Sequence, residues 1–234
     1  MVTPSAVNRA GRVLRAWWAE EVERSPAVDQ ALEVMFEFRA AHQYPLGKAN
    51  MGLRSVVQSE GCPMEISQRL KRAPTIVDKL FREPSMKLST MQDIGGCRAV
   101  LESIEEVRAV ERRLKRNRHP VRVYDYITTP RASGYRAVHV IVTYEDQGHV
   151  HRRIEVQLRT KTMHEWAIAV ERLSGRIKDD LKGSRGPKPV LDLLAAISKA
   201  MEIEERGQTV PGELLAEMGR LRTLAVPYMG GPTP

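Results

Sequence analysis

The spacing of apolar residues changes about a quarter of the way along the chain. In the first part, apolar positions recur every three or four residues, as in Val13, Leu14, Trp17 and Trp18, and Pro26 interrupts the series. This spacing is that of an amphipathic helix. The pattern predicts helices over 5–24, 27–42 and 46–58.

Further along, short stretches alternate between apolar and polar residues. In the clearest of them, Ile154, Val156 and Leu158 alternate with polar neighbours, which is typical of a strand with one buried face. Strands are predicted over 66–70, 97–101, 121–128, 136–144 and 154–158. Helices are predicted over 74–82, 103–118, 162–181 and 191–205.

Strands enclosed by helices predict an α+β fold around a mixed sheet of about five strands. We expect a helical N-terminal extension (1–62), a catalytic α+β domain (63–185), and a C-terminal helix with a flexible tail (186–234). A chain of 234 residues is long enough for one sizeable core with such appendages.

Composition excludes some protein classes and leaves others open. The chain is 42% hydrophobic and 28% charged, with no run near the ~18–20 apolar residues of a membrane span. Without an apolar signal segment at the N-terminus, we expect a cytoplasmic protein whose Cys62 and Cys97 are reduced thiols. The net charge of +8 indicates a polyanionic partner or merely a solvated basic surface.

Two groups of residues predict a phosphate site. Arg69 and Lys71 share one face of an extended segment, and Lys79 follows on the next helix. Together they suit a triphosphate, although basic residues at strand edges are also ordinary solvated positions. Asp93 and the double glycine after it suit a cation-binding turn, or equally a purely structural turn.

Polar groups on two other predicted strands extend this set. Glu155, Gln157 and Arg159 project from one strand face, which fits a functional face or an ordinary solvent face. Tyr135 and His139 share a strand face, and an exposed tyrosine on a basic face can stack on a nucleobase. A lone tyrosine or histidine is more often structural.

The order and spacing of these groups are more specific than any one of them. The series R-x-K-x7-K, D-I-x-G-x-R, D-Y-I-x-x-P-x-x-x-G-Y-x-x-x-H, E-x-Q-x-R-T and M-H-x-W-A runs from Ile66 to Ala167. It resembles the synthetase domain of RelA/SpoT alarmone enzymes. The resemblance implies a nucleotidyltransferase-like fold and a pyrophosphokinase, which moves the β,γ-pyrophosphate of ATP to a ribose 3′-hydroxyl and releases AMP.

The resemblance also implies roles for individual residues. Asp93 and Glu155 would be catalytic and hold Mg²⁺. The residues implied to bind ATP are Arg69, Lys71, Lys79 and Arg98. Those implied to bind the acceptor are Tyr135, Arg131, His139, Gln157 and Arg159. The family's separate hydrolase domain has a His-Asp metal motif, and no His-Asp pair occurs in this sequence.

The departures from the family pattern fall around the acceptor. Ser133 stands where the family typically has an asparagine, Arg131 replaces a lysine, and the later histidine and Tyr-Lys are missing. This favours the toxic small alarmone synthetase branch, some members of which modify the 3′-terminal adenosine of tRNA. A basic stretch could follow an RNA backbone, or be only a solvated helix face: Arg112, Arg113, Lys115, Arg116 and Arg118.

Three functions are therefore compared. The first is a pyrophosphokinase acting on tRNA, as the toxin of a toxin–antitoxin or phage-defence pair with an antitoxin protein as partner. The second is a small alarmone synthetase that makes ppGpp or pppGpp from GDP or GTP. The third is a catalytically dead nucleotide- or RNA-binding relative, which the presence of Asp93, Glu155 and Tyr135 opposes. The sequence decides neither the oligomeric state nor the role of the C-terminal helix.

Overall fold

The structure is a computed structural model that describes residues 2–63 and 65–230. Its helices are α1 (Pro4–Trp18), α2 (Pro26–Ala40), α3 (Gln43–Ser59), α4 (Ala73–Arg82), α5 (Ile104–Arg118), α6 (Lys161–Ile177), α7 (Lys188–Glu205) and α8 (Gly212–Ala225). Its strands are β1 (Glu65–Leu70), β2 (Gly95–Leu101), β3 (Arg122–Asp125), β4 (Val138–Glu145) and β5 (His151–Thr160).

The five strands form one mixed sheet in the order β1-β2-β5-β4-β3, flanked by helices. The predicted α+β class is therefore confirmed. Strand β5 carries Glu155, and strand β2 begins just after Asp93. Both strands are interior in this order, whereas β1 and β3 lie at the edges. Along β5 the alternation is clear, with Ile154, Val156 and Leu158 buried and Glu155 and Gln157 half-buried.

The first helices begin where local sequence favours them. The hydroxyl of Thr3 accepts a hydrogen bond from the amide of Ala6 at 3.2 Å, and proline occupies the first turn of both α1 and α2. A side-chain acceptor at the N-cap satisfies an amide that has no partner within the helix. The prediction that the first helix extends to residue 24 was wrong, because α1 ends at Trp18.

The chain divides into two compact units. The first comprises Met1–Ala99, Ala109–Val123 and Val140–Gln157. Its main apolar cluster joins the N-terminal helices to α4 and the segment before β2, and includes Leu14, Met35, Leu80 and Ile94.

The second unit comprises Val100–Arg108, Tyr124–His139 and Leu158–Pro234. Its core packs α6 and α7 around Tyr135 and Trp166, with Ala225 of α8 also buried. Helix α8 was not predicted, and it lies between the predicted helix 191–205 and the tail predicted over 229–234. Residues 231–234 of that predicted tail lie outside the described residues.

Both cysteines are free thiols, as predicted. Among the described residues, no helix combines the length and apolar character needed to cross a membrane.

Candidate active site

In the first unit, two lysines donate hydrogen bonds to one carboxylate. Asp93 lies in the loop just before β2, and its Oδ2 accepts hydrogen bonds from Nζ of Lys71 and Nζ of Lys79, both at 3.0 Å. Lys71 directly follows β1, and its backbone amide donates to the carbonyl of Ile94 at 2.8 Å. Lys79 comes from α4. Three separate elements therefore converge on one carboxyl group.

The charges in this cluster shift one another's pKa values. Burial alone would raise the pKa of Asp93, but the two ammonium groups outweigh burial and lower it. Burial would lower the pKa of Lys79, but the carboxylates, chiefly Asp93 and also Glu155, raise it. Asp93 and Glu155 also repel each other, since Glu155 acts to raise the pKa of Asp93. Asp93 is therefore a carboxylate and Lys79 an ammonium group at neutral pH.

The residues present fit a divalent cation. Oδ1 of Asp93 is buried and has no hydrogen-bond partner among the described residues, although a buried carboxylate oxygen normally has one. The nearby Glu155 supplies a second carboxylate. No group of three or more His, Cys, Asp or Glu side chains suited to a metal occurs in the described part of the chain. Two carboxylates suit Mg²⁺, which usually keeps several waters and binds substrate phosphates.

Glu155 and Gln157 form a pair on β5. The side-chain amide of Gln157 donates to Oε2 of Glu155 at 2.5 Å. Gln157, which the resemblance predicts to line the acceptor region, lies beside the predicted metal ligand Glu155. Of the other predicted ATP ligands, Arg98 is half-buried on β2 and Arg69 is exposed on β1.

Gly95, beside this cluster, is constrained by packing rather than by backbone conformation. A Cβ at Gly95 would lie 2.7 Å from Cδ1 of Ile154, and both glycines after Asp93 belong to β2. Neither glycine has a positive φ angle, so neither forms the expected turn. Gly95 instead allows β2 to pack closely against Ile154 of β5.

In the second unit, Tyr135 is not the exposed aromatic that the sequence predicts. Its side chain is 0% exposed, in the extended segment before β4, and its ring packs against Trp166 with the centroids 6.2 Å apart. Its hydroxyl oxygen lies 2.6 Å from Nε2 of His139 and accepts a hydrogen bond from Nη2 of Arg159 at 2.8 Å. Arg159 is itself only 1% exposed. Three predicted acceptor residues thus form one buried network.

The loop that carries Tyr135 is fixed by α7. Gly134 has a φ of +85°, and a Cβ there would lie 2.8 Å from Cα of Ala195. The hydroxyl of Ser198 donates to the carbonyl of Gly134 at 2.6 Å and accepts from Nε of Arg136 at 3.3 Å. Arg136 also forms a buried ion pair with Glu205 at 3.2 Å. Helix α7 therefore belongs to the core around Tyr135.

Cations surround the Tyr135 ring. The guanidinium carbons of Arg131 and Arg159 and Nζ of Lys182 lie 5.6, 5.2 and 5.1 Å from the ring centroid. Arg131 also stacks over the ring of Tyr126 at 4.6 Å and donates to its hydroxyl at 3.0 Å. Each such contact contributes about 0.5–2 kcal/mol, more where it is shielded from water.

Sequence reasoning missed two members of this group. Tyr126 stacks on Tyr124 with the planes only 4° apart, and the presence of Tyr126 in the D-Y-I motif was a usable signal. Lys182 lies in the short 3-10 turn Leu181–Gly183, and its position in the sequence gave no signal.

The basic stretch lies at the end of α5, and part of it is internally paired. Arg113 lies 3.6 Å from Glu60, Lys115 pairs with Glu111 at 2.5 Å, and Arg118 stacks over Tyr144 at 4.7 Å. Arg112 and Arg116 are exposed and form no ion pair with any described residue.

Comparison with known proteins identifies the family of the chain. A family model for a region found in RelA and SpoT proteins matches residues 68–173. The GTP pyrophosphokinase YjbM of Bacillus subtilis is 30% identical over 177 residues, which is 70% of this chain and 80% of that protein.

Two crystal structures of small alarmone synthetase 1 from Bacillus subtilis share the fold. The form bound to its product pppGpp has a TM-score of 0.63 and 24% identity, covering 81% of this chain and 97% of the other. The form bound to AMPCPP has a TM-score of 0.53 and 21% identity, covering 79% and 97%. The match to YjbM shows that the chain belongs to the RelA/SpoT family and is a pyrophosphokinase.

Proposed function

We propose that the chain moves the β,γ-pyrophosphate of ATP to the 3′-hydroxyl of GDP or GTP, making ppGpp or pppGpp and releasing AMP. The observation that carries the proposal is the cluster of Lys71, Lys79 and Asp93, with Glu155 acting on it electrostatically. Two lysines with a carboxylate that keeps one oxygen unsatisfied suit a polyphosphate and its cation.

The donor would be held by the cluster around Asp93. Asp93 pairs with the ammonium groups of Lys71 and Lys79 and offsets the repulsion between them. A bound phosphate can replace Asp93 as the partner of these lysines. Arg69 and Arg98 would add charge along the triphosphate. The relative that binds AMPCPP, an ATP analogue, supports ATP as the donor.

The transfer itself needs positioning and charge neutralisation more than covalent help. The acceptor 3′-oxygen forms a bond to the β-phosphorus, the bond from that phosphorus to the α,β-bridging oxygen breaks, and AMP leaves with that oxygen. We assign the hydroxyl proton to the carboxylate of Glu155, which Gln157 orients through its 2.5 Å hydrogen bond. Mg²⁺, held by Asp93 and Glu155, would supply charge neutralisation on the phosphates.

The acceptor would be bound against Arg131 and positioned by three buried residues, Tyr135, His139 and Arg159. Their buried network fixes one geometry around Tyr135. A guanosine acceptor is favoured by the names of the relatives, which are GTP pyrophosphokinases or synthetases with pppGpp as product. Ser133, whose replacement of asparagine favoured tRNA, is 0% exposed, so its side chain has no access to an acceptor base in this conformation.

A second candidate acceptor is the 3′-terminal adenosine of tRNA. It is favoured by Arg112 and Arg116 on α5, which are exposed and free to contact phosphates. Under this alternative the protein would be a translation-inhibiting toxin with an antitoxin partner.

One experiment separates the candidates. The protein is incubated with γ-labelled ATP and Mg²⁺, and in turn with GDP, GTP and deacylated tRNA. We expect label on GDP and GTP. Label on tRNA alone would overturn the guanosine proposal, and a charge-reversed Arg112→Glu/Arg116→Glu variant should then lose that transfer.

A further inference from the structure

We propose that Lys182 binds a phosphate group of the acceptor nucleotide together with Arg131. The inference rests on the proposed function, since it assumes that the acceptor is bound by residues of the second unit around Tyr135. It adds to the site a residue that neither the motif series nor its neighbours in sequence assign.

The geometry sets Lys182 apart from the many other surface lysines. Its Nζ lies 5.1 Å from the centroid of the Tyr135 ring, in the same shell as the guanidinium groups of Arg131 and Arg159. Its side chain is 21% exposed, so it is partly shielded but still open to solvent. Arg159 is 1% exposed and donates to the Tyr135 hydroxyl, so Arg131 and Lys182 are the cations of this shell that a ligand can reach.

The turn that carries Lys182 is tied to the loop that carries Tyr135. The amide of Ser133 donates to the hydroxyl of Ser184 at 3.1 Å, and the hydroxyl of Ser133 donates to the carbonyl of Lys182 at 3.4 Å. Asp180 caps the same turn by accepting a hydrogen bond from the amide of Gly183 at 3.1 Å. The backbone of Lys182 is thus tied to the loop that carries Tyr135.

One partner of Lys182 is a carboxylate that a phosphate can replace. Nζ lies 3.1 Å from Oε1 of Glu171, whose side chain is 44% exposed. An ion pair with so exposed a carboxylate is weak, because water screens the attraction. A dianionic phosphate beside three positive charges binds the ammonium group more strongly, because it carries more charge and accepts several hydrogen bonds. Glu171 therefore competes with the ligand for Lys182.

Because Glu171 competes with the phosphate for Lys182, substitutions of the two residues should change the KM for GDP in opposite directions. We expect Lys182→Ala to raise the KM for GDP about tenfold, since a hydrogen bond to a charged group is lost. Lys182→Arg keeps the charge and should largely restore the KM. Glu171→Gln releases Lys182 from its competitor and should lower the KM for GDP about twofold. The KM for ATP should stay unchanged in all three variants.

The matched control is Lys188→Ala. Lys188 is a nearby lysine whose side chain is 83% exposed and which also pairs with a carboxylate, that of Asp192. It should leave both KM values unchanged. Thermal unfolding of each variant checks that the fold is retained.

Two outcomes would overturn the inference. If Lys182→Ala and Glu171→Gln both raise the KM for GDP, the pair is only a structural ion pair. If neither changes it while the wild-type protein is active, Lys182 does not contact the acceptor. A wild-type protein that transfers pyrophosphate to neither GDP nor GTP would instead refute the proposed function, before any variant is compared.

Discussion

Nε2 of His139 lies 2.6 Å from the hydroxyl oxygen of Tyr135, and both side chains are buried. The same oxygen accepts a hydrogen bond from Arg159 at 2.8 Å. The Tyr135 hydroxyl therefore contacts both His139 and Arg159, the second of which lies 24 residues further along the chain. In this conformation they fix each other, and the tyrosine is held in place by its hydroxyl as well as by its ring.

Tyr135→Phe tests that network. The substitution keeps the ring and removes the hydroxyl, which leaves buried polar groups of His139 and Arg159 without that contact. We expect the free energy of unfolding, measured by urea denaturation, to fall by about 1–3 kcal/mol. The control is Tyr44→Phe, because Tyr44 is 48% exposed, and it should change stability by less than about 0.5 kcal/mol. If Tyr135→Phe lowers the free energy of unfolding no more than this control does, the Tyr135 hydroxyl contributes nothing measurable to stability.

Asp93→Asn tests the phosphate and metal cluster. The amide keeps the shape but loses the charge that holds Lys71 and Lys79 and that would bind Mg²⁺. We expect the rate of AMP formation to fall by about a hundredfold or more. The control is Asp78→Asn, since Asp78 forms an ion pair with Arg82 at 2.8 Å on the same helix α4 and has no proposed role. A normal rate and normal Mg²⁺ dependence in Asp93→Asn would remove Asp93 from the site.

Gly134→Ala tests the contact between α7 and the acceptor loop. The new Cβ would meet Cα of Ala195 at 2.8 Å in a backbone with φ of +85°, so we expect a loss of roughly 2 kcal/mol or more in unfolding free energy. Gly175→Ala is the control, because Gly175 lies in α6 with nothing within 4 Å of the new Cβ. Alanine favours the helix there and should stabilise by about 0.5–1 kcal/mol. Opposite signs in thermal unfolding are the expected result, and two stabilising substitutions would contradict the packing described.

His42 makes stability depend on pH. Burial, reinforced by the charge of Arg152 and opposed by a hydrogen bond to the carbonyl of Phe38, lowers the pKa of His42 from 6.5 to about 4. The unfolded chain therefore takes up a proton near pH 6.5 while the folded protein does not. This stabilisation is complete above pH 6.5 and is lost as the pH falls towards 4, by about 3 kcal/mol in all.

The measurement for His42 is the free energy of unfolding at several pH values between 7 and 4.5. His42→Gln should be less stable at pH 7 but should lack this part of the pH dependence. Parallel curves for the wild-type protein and the variant would show that His42 does not titrate as described.

Much of the architecture could be predicted because its signal is local. The alternation of Ile154, Val156 and Leu158 identified β5 and the face that carries Glu155. Helix α8 was not predicted, although Leu214, Met218, Leu221 and Ala225 recur at helical spacing and are half-buried or buried. The exposed Leu215 and Leu224 lie outside this stripe and make the pattern less clear.

The parts of the site that were missed depend on contacts between distant residues. The burial of Tyr135 follows from Arg159 and Trp166, which close on it from other elements. Lys182 reaches the same ring from a turn 47 residues further along the chain. Strand periodicity shows which side chains share a face, but not what covers that face. The motif series therefore identified Tyr135 without indicating its environment.

The central claim, pyrophosphate transfer to a guanosine nucleotide, is tested most directly by the products formed from ATP and GDP with Mg²⁺. The account predicts equal amounts of AMP and of a guanosine nucleotide that carries a new pyrophosphate on its 3′-oxygen, identified by mass spectrometry and phosphorus NMR. Release of ADP in place of AMP, or AMP formation with unmodified GDP, would contradict it.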